Sequence, residues 1–312
     1  ALLPTPAIHA QATGGFPSRP IRLVVAFAPG GNSDTLARLI QPRMAAVLGQ
    51  GIVIDNRGGA GGTLAAGAVA AAPADGHTLL FDAASFVVAQ FIHRSTPFDY
   101  ERDFAPVGLV AEVPYVLAVA TGTGIRDVKG FLDKARATRD GLSYGSPGVG
   151  SPGHLAGVLL AHRAGVRLEH VPYRGGADVA RDLAAGRIDA CFISHSSLKP
   201  VLEAGRGRLV AVTSAGRRPL TPEVPALGEA LPGYDLLSWT GVFAPAGTPS
   251  PALRRFAAAA RHAVADPTTR ERLLGIGNDP AFSPPEDYAA LIRRDREVAR
   301  GIVAASPGLR GS

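Results

Sequence analysis

Apolar and polar positions along this chain follow two spacings in turn. Ile21-Arg22-Leu23-Val24-Val25-Ala26-Phe27 is a nearly unbroken apolar run between Pro20 and the loop Ala28-Pro29-Gly30-Gly31-Asn32, which predicts a buried strand. From Ser33 to Leu48 the apolar residues Leu36, Leu39, Ile40, Met44, Val47 and Leu48 recur three and four apart. That spacing predicts a helix, with Asn32 or Ser33 as its N-cap and Gly49 as its stop. Ile52-Val53-Ile54 predicts a second strand, and Thr63 to Ala72 a helix entered through Gly58 to Gly62. His77 to Phe81 predicts a third strand. The order β-α-β-α-β makes a parallel sheet with helices on its faces the simplest architecture.

A similar order recurs. Strands are expected at Val113 to Ala120, Leu142 to Tyr144, Leu168 to Val171, Ile188 to Ile193 and Leu209 to Thr213, with helices at Val128 to Ala137, His154 to Ala164 and Ala177 to Ala185. Two α/β units of about a hundred residues each follow. Beyond Gly233 there remain a strand at Trp239 to Phe243 and helices at Ala252 to Ala265 and Pro285 to Arg300. That is too little for a third domain, so this tail is expected to pack back on the first unit.

Composition narrows the function. The chain of 312 residues is 46% apolar and 19% charged, which fits a folded protein with real cores. Its net charge of +6 raises nucleic-acid binding, but the basic residues are scattered, and Asp295 interrupts the densest run, Ile292 to Arg296. A mild positive field that favours small anions is the better reading. Cys191, the only cysteine, lies in a strand-like run and is expected to be a buried small hydrophobe. The eight histidines show no metal-ligand spacing, and no G-x-S-x-G elbow occurs. Ala10-Gln11-Ala12 has the form of a signal-peptidase site, so the first sixteen residues are expected to be a signal remnant or an added terminal segment. No stretch reaches the ~20 apolar residues that span a bilayer. A soluble, exported, periplasmic protein is the expectation.

The candidate chemistry centres on glycine loops. Gly148-Val149-Gly150-Ser151-Pro152-Gly153 spells G-x-G-x-x-G between a strand and a helix, with Glu169 21 residues after Gly148. Those are the marks of a dinucleotide site, and they support an NAD-dependent oxidoreductase as the alternative reading. Against it, the preceding strand is short, Pro152 removes an N–H from the turn, and the loop sits in mid-chain. A helix start offers unpaired N–H groups and a partial positive charge to any anion. Ser146 and Ser151 add hydroxyls. Pro29-Gly30-Gly31-Asn32 repeats the design, so two such ends facing each other would grip a small anion from both sides.

Several fragments together resemble one family. Pro17 to Val25, Phe27 to Asp34, Asp55-Asn56-Arg57-Gly58-Gly59-Ala60-Gly61-Gly62, Asp75 to Leu80, Asp103 to Val107, His170-Val171-Pro172-Tyr173-Arg174-Gly175, Leu209 to Ala215, Leu231 to Tyr234 and Phe243 to Pro249 are similar to Bug-type receptors. These are the substrate-binding proteins of tripartite tricarboxylate transporters. The resemblance implies an α/β, two-lobed periplasmic binding protein of type II-like, flytrap form, each lobe a central sheet with flanking helices. Lobe one would comprise residues 17–112 and 216–305, and lobe two residues 113–215. The resemblance further implies a monomer without a cofactor or catalytic residues. It would capture a small carboxylate (a dicarboxylate, an acidic or other amino acid, or an aromatic acid) for membrane permease subunits, or serve a sensor.

Carried over, the ligand contacts from lobe one are Phe27, Gly30, Gly31, Asn32, Asp82 and Ser85. Those from lobe two are Ser146, Gly148, Val149, Gly150, Ser151, Tyr173 and Ser194. Relatives often carry a Gly/Ser/Thr-rich stretch where this chain has Phe81 to Ser85, Asp-Asn where it has Ser194-His195, and Gly-Thr-Ser-Ser-His where it has Gly150 to His154. Asp82 is expected either to accept an ammonium group from an amino-acid ligand or to act as a capping aspartate. Asp34 is expected to satisfy helix N–H groups, Arg174 to lie outside the site, and Gly58 to Gly62 to form a tight helix entry. Trp239 and Tyr234 are expected at the lobe-one surface near the hinge.

Overall fold

The computed structural model describes residues 16–93, 96–218 and 221–305. The expected signal-peptidase site lies outside them. The first unit runs β1 (Ile21–Val25), α1 (Asn32–Leu48), β2 (Ile52–Asn56), α2 (Thr63–Ala70), β3 (Thr78–Ala83), α3 (Ser85–Ile92) and β4 (Phe104–Val113). The second runs β5 (Tyr115–Ala120), α4 (Val128–Ala137), β6 (Leu142–Ser146), α5 (Pro152–Ala164), β7 (Leu168–Pro172), α6 (Gly176–Ala184), β8 (Ala190–Ser194), α7 (His195–Glu203) and β9 (Gly207–Val212). After a short α8 (Leu227–Ala230) come β10 (Ser238–Pro245), α9 (Ser250–Ala265), α10 (Pro267–Gly275), β11 (Asp279–Ser283) and α11 (Pro285–Ala305).

Two sheets result, of order β11-β4-β10-β3-β1-β2 and β7-β6-β8-β5-β9. Neither is purely parallel. β1 pairs parallel with β2 and β3, but β10 lies antiparallel to both β3 and β4. The reason is topological. β10 returns from the second sheet, so it enters the first at the end where β1 and β3 finish. β5 likewise leaves that meeting zone and runs antiparallel to β8, with Tyr115 opposite Ser194.

Each sheet is covered on both faces. Leu36, Ile40 and Met44 of α1 pack with Phe256 and Ala260 of α9 on one face of the first sheet. Val69, Phe86, Ile292 and Ala299 from α2, α3 and α11 cover the other. Phe131 and Leu160 back one face of the second sheet, and Val179, Leu183 and Leu198 the other. Full burial of each such side chain contributes roughly 1.5–3 kcal/mol. Cys191 is fully buried among them. Trp239 belongs to the first core, but Tyr234 lies in the second, where its hydroxyl donates to Ala156 O at 3.0 Å. The chain crosses between the sheets at Pro114 and again between Thr213 and Ser238. The two crossings are bonded together, with Thr213 N–H donating to Tyr115 O at 2.9 Å and Leu236 N–H to Thr213 O at 2.8 Å.

Candidate functional site

The C-terminal ends of β1 and β3 face those of β6 and β8, and ligands of open α/β sheets bind at such ends. Here α1 starts at Gly31, which is the N-cap residue and supplies no side-chain cap. Asn32 is the first helical residue instead of the cap. Its carboxamide crosses to other elements, Oδ1 accepting from the Ser196 hydroxyl at 2.6 Å and from Asn278 Nδ2 at 2.8 Å. α6 starts in the same manner at Gly175, again with no side-chain cap. A Cβ on Gly31 would stand 3.7 Å from Gly176 N, and one on Gly175 would stand 3.0 Å from the Ala28 Cβ. Two helix N-termini of opposite lobes, both without a side-chain cap, therefore meet.

Between them lies a cavity of about 10 Å³, room for roughly one water. Phe27, Gly31, Asn32 and Ser33 line it from the first lobe, and Tyr115, Pro147, Gly176, Ser194 and Ser197 from the second. None of these carries a charge. A bound anion would be held by backbone dipoles and hydroxyls. The hydroxyls are linked, since Ser194 Oγ lies 3.0 Å from both Ser196 Oγ and Ser197 Oγ and accepts from Ser197 N–H as the cap of α7. Burial, and then the charge of Asp82, keeps the Tyr115 phenol protonated. Asp34 is a buried carboxylate in the first turn of α1. Burial pushes it up, but its Arg38 partner and the Gly30 N–H, at 3.0 Å, hold it below the usual range.

The loop Ser146 to Ser151 is differently disposed. Ser146 is fully buried, with Oγ 2.7 Å from His170 Nε2 and accepting from Gly148 N–H at 3.3 Å. Ser151 caps α5 by accepting from His154 N–H, and His154 Nδ1 accepts from Gly150 N–H at 3.1 Å. The two imidazoles stack at 3.9 Å. Burial lowers His154 to about 3, with His170 adding to the shift, and lowers His170 to about 4, so both are neutral at pH 7. The hydroxyls therefore brace the loop from inside. Its outer backbone meets the first lobe, where a Cβ on Gly61 would fall 2.1 Å from Val149 O and one on Gly150 3.3 Å from Ile92. The space a pyrophosphate would take beside Gly148 is filled by Gly61. Glu169 is exposed on the edge strand β7, opposite Ser143.

Asp82 and Ser85 sit behind the cleft, inside the first lobe, and do not line the cavity. Asp82 accepts from Ala83 N–H at 2.7 Å and from the Ser85 hydroxyl at 2.9 Å, and its Oδ2 has no partner among the described residues. A Cβ on Gly62 would come 3.1 Å from both carboxyl oxygens. Burial raises the Asp82 carboxyl to about 7, against the pull of those two hydrogen bonds. Tyr173 turns to Asp182, donating at 3.1 Å. Gly30 flanks the cavity at φ +77°, a left-handed value suited to glycine. Gly176, Ser197, Ser33, Tyr115 and Pro147 are cavity residues that sequence reasoning missed. Gly175-Gly176 after a strand was a visible signal of the same kind as Gly30-Gly31. Among the described residues no cluster of His, Cys, Asp or Glu is placed to share a metal ion.

A family model described as tripartite tricarboxylate transporter family receptor matches residues 36–306. The UPF0065 protein in the tcbD-tcbE intergenic region of Pseudomonas sp. (strain P51) is 43% identical over 295 residues, 94% of this chain and 88% of that one. Among solved structures, an R. palustris protein with adipate is 35% identical with a TM-score of 0.89, covering 93% of this chain and 97% of that one. MatC from Rhodopseudomonas palustris with bound malate is 33% identical with a TM-score of 0.86, covering 92% and 100%.

Proposed function

Since this chain belongs to the tripartite tricarboxylate transporter receptor family, we propose that it is an extracytoplasmic solute-binding receptor for a small carboxylate. The two sheets with their helices form the lobes, residues 17–112 and 216–305 against 113–215. They close on the ligand and present it, unaltered, to membrane permease subunits or to a sensor. No helix of the described residues is long and apolar enough to cross a membrane.

The observation that carries this reading is the meeting of α1 and α6 around a cavity without a charged lining. Two N-termini aimed at one point favour an anion, and the hydroxyls of Ser194, Ser197 and Tyr115 supply donors of fixed direction. Small dicarboxylates of the kind bound by the two R. palustris proteins are the class most in keeping with it. Phe27, Gly31, Asn32, Ser33, Gly176, Ser194 and Ser197 are the contacts we assign. The loop Gly148 to Ser151 serves as the rim that seals against Gly61.

Thermal unfolding against adipate, malate, citrate, acidic and neutral amino acids, aromatic acids, NAD and NADP tests the reading. Selective stabilisation by one carboxylate, growing with its concentration, is expected. Stabilisation by NAD or NADP alone would overturn it in favour of an oxidoreductase.

A further inference from the structure

A second cavity of about 330 Å³ lies at the seam between the lobes and shares no lining residue with the first. Val87 of α3 and Leu291 and Ile302 of α11 line it from the first lobe, and Leu155 of α5 from the second. Trp239 stands at the head of β10, its indole N–H donating to Asp295 at 2.8 Å. The apolar wall is incompletely covered. Leu291 and Ile302 are half-buried, and Val298, which also lines the cavity, is 56% exposed. A space of this size falls within the range of small-molecule sites. At about 30 Å³ per water, it takes a compact body of roughly ten heavy atoms.

The charges beside this wall are unbalanced. Glu112, Asp235 and Asp295 line the cavity, against Arg294 as the one cation in its lining. Arg294 pairs with Asp295 at 3.0 Å. Glu112 reaches Arg218 only at 3.6 Å, and that guanidinium is also bonded to Asp279. Asp235 accepts from Ala215 N–H at 2.9 Å and has no cationic partner among the described residues. Four carboxylates thus meet two guanidinium groups, an excess of negative charge in a chain whose net charge is +6. The local sign opposes that of the whole molecule, so the field at the cavity favours a cation. The carboxylates stand on separate elements, and among the described residues no group of them is placed to share a metal ion. An organic cation with an apolar body matches both the charge and the wall.

We infer that this seam cavity is a second ligand site, for a compact organic ammonium ion. The apolar body lies against Leu155, Val298 and Ile302. The charged head stays at the exposed carboxylate of Asp235, where it keeps part of its hydration. The walls come from both lobes, so an occupant touches each of them at once.

Trp239, the only tryptophan in the chain, lines the cavity and reports on its occupancy. The test titrates the full chain, with no carboxylate present, with aminoadamantane hydrochloride, a caged ammonium ion that is transparent where tryptophan is excited. A saturable change in Trp239 emission is expected, with an affinity that falls as sodium chloride is added. Adamantanol, the same cage without the charge, should bind at least about threefold more weakly. Asp235→Asn keeps an acceptor for Ala215 N–H and removes the charge. It should weaken the ammonium about three- to fivefold and leave the alcohol unchanged. Ile302→Phe, which fills the cavity from a half-buried position, should abolish the response to both probes while the melting temperature stays near that of the parent. No saturable change with the ammonium would overturn the proposal. So would an alcohol that binds as tightly, an ammonium affinity indifferent to Asp235→Asn, or a response that survives in folded Ile302→Phe. Asp235 is exposed, so its variant carries the test even where Ile302→Phe fails to fold. Because this readout needs no carboxylate, its failure is distinct from failure of the receptor reading.

Discussion

Asn32 and Ser196 are hydrogen bonded across the cleft at 2.6 Å, from the first turn of α1 to the first turn of α7. The same Asn32 oxygen accepts from Asn278 at 2.8 Å, in the turn before β11. One side chain thereby ties the two lobes together beside the proposed ligand position. Asn32→Ala should remove both bonds, of which only that to Ser196 crosses between the lobes, and weaken closure around the ligand by about 0.5–1.5 kcal/mol, a two- to twelvefold rise in Kd. Isothermal titration with the carboxylate that stabilises the parent protein checks this, and an unchanged Kd would remove the tie from the account.

Gly61 lies against Val149 O with φ +60°. Any Cβ there meets backbone, which has no flexible end to yield. Gly61→Ala should hold the lobes apart, raising the ligand Kd at least about tenfold and enlarging the radius of gyration in solution scattering. The left-handed φ itself costs an alanine roughly 1 kcal/mol, so the melting temperature should fall only slightly. A large drop in melting temperature with an unaltered Kd would mean that the contact serves folding and not closure.

Asp82 makes stability depend on pH in an unusual sense. Its folded value of about 7 exceeds the ordinary 3.8 because it is buried. Between those values the folded protein keeps a proton that the unfolded chain has released. Stability from this group therefore declines as pH rises from about 4 to 7 and stays low above that. Asp82→Asn should gain on the parent by roughly 1–3 kcal/mol between pH 5 and pH 8 in denaturant unfolding. A stability difference that does not change between pH 5 and pH 8 would contradict the raised Asp82 value. If an ammonium-bearing ligand did reach this carboxyl, its binding would tighten with rising pH and vanish in Asp82→Asn.

His154 and His170 act in the opposite direction. Their folded values, about 3 and about 4, lie below the ordinary 6.5. As pH falls below 6.5 the unfolded chain gains protons that the folded one refuses, so stability is lost toward pH 4. His170→Gln retains a polar partner for Ser146 and should flatten the fall between pH 6.5 and 5. In the Asp82→Asn background the histidine slope should steepen, because the opposing group is gone. Parallel slopes in all three proteins would show that neither group governs this window.

Much of the architecture could be read from short local signals. Strand, glycine and helix start follow one another at Gly30-Gly31, and α1 begins within one residue of the expected place because Gly49 and the apolar spacing bound it. Helix α4 was legible to the residue, with Asp127 accepting from Gly130 N–H as its cap. Other elements carried no periodic signal. Ser85-Phe86-Val87-Val88-Ala89-Gln90-Phe91-Ile92 is apolar on all sides because α3 is buried between the sheet and the second lobe, and β11 is a half-buried strand containing Pro280. The site was harder. Ser146 and Ser151 read as ligand donors because a sequence displays hydroxyls but not the imidazoles that claim them. Gly176 and Ser197 were overlooked because their partners lie far away along the chain, as Asn32 and Ser196 do at 164 residues apart.

The absence of charge from the lining of the central cavity separates two tasks, the collection of ligands and the choice among them. The net charge of +6 acts at long range and raises the rate at which anions of every kind arrive. It is open to screening by salt. Discrimination falls to neutral dipoles of fixed direction, sheltered between the lobes, where ions scarcely reach. Capture should therefore slow as ionic strength rises while the ranking of competing carboxylates stays the same. An exchange of one lining hydroxyl for another should alter that ranking without altering how fast ligands are collected.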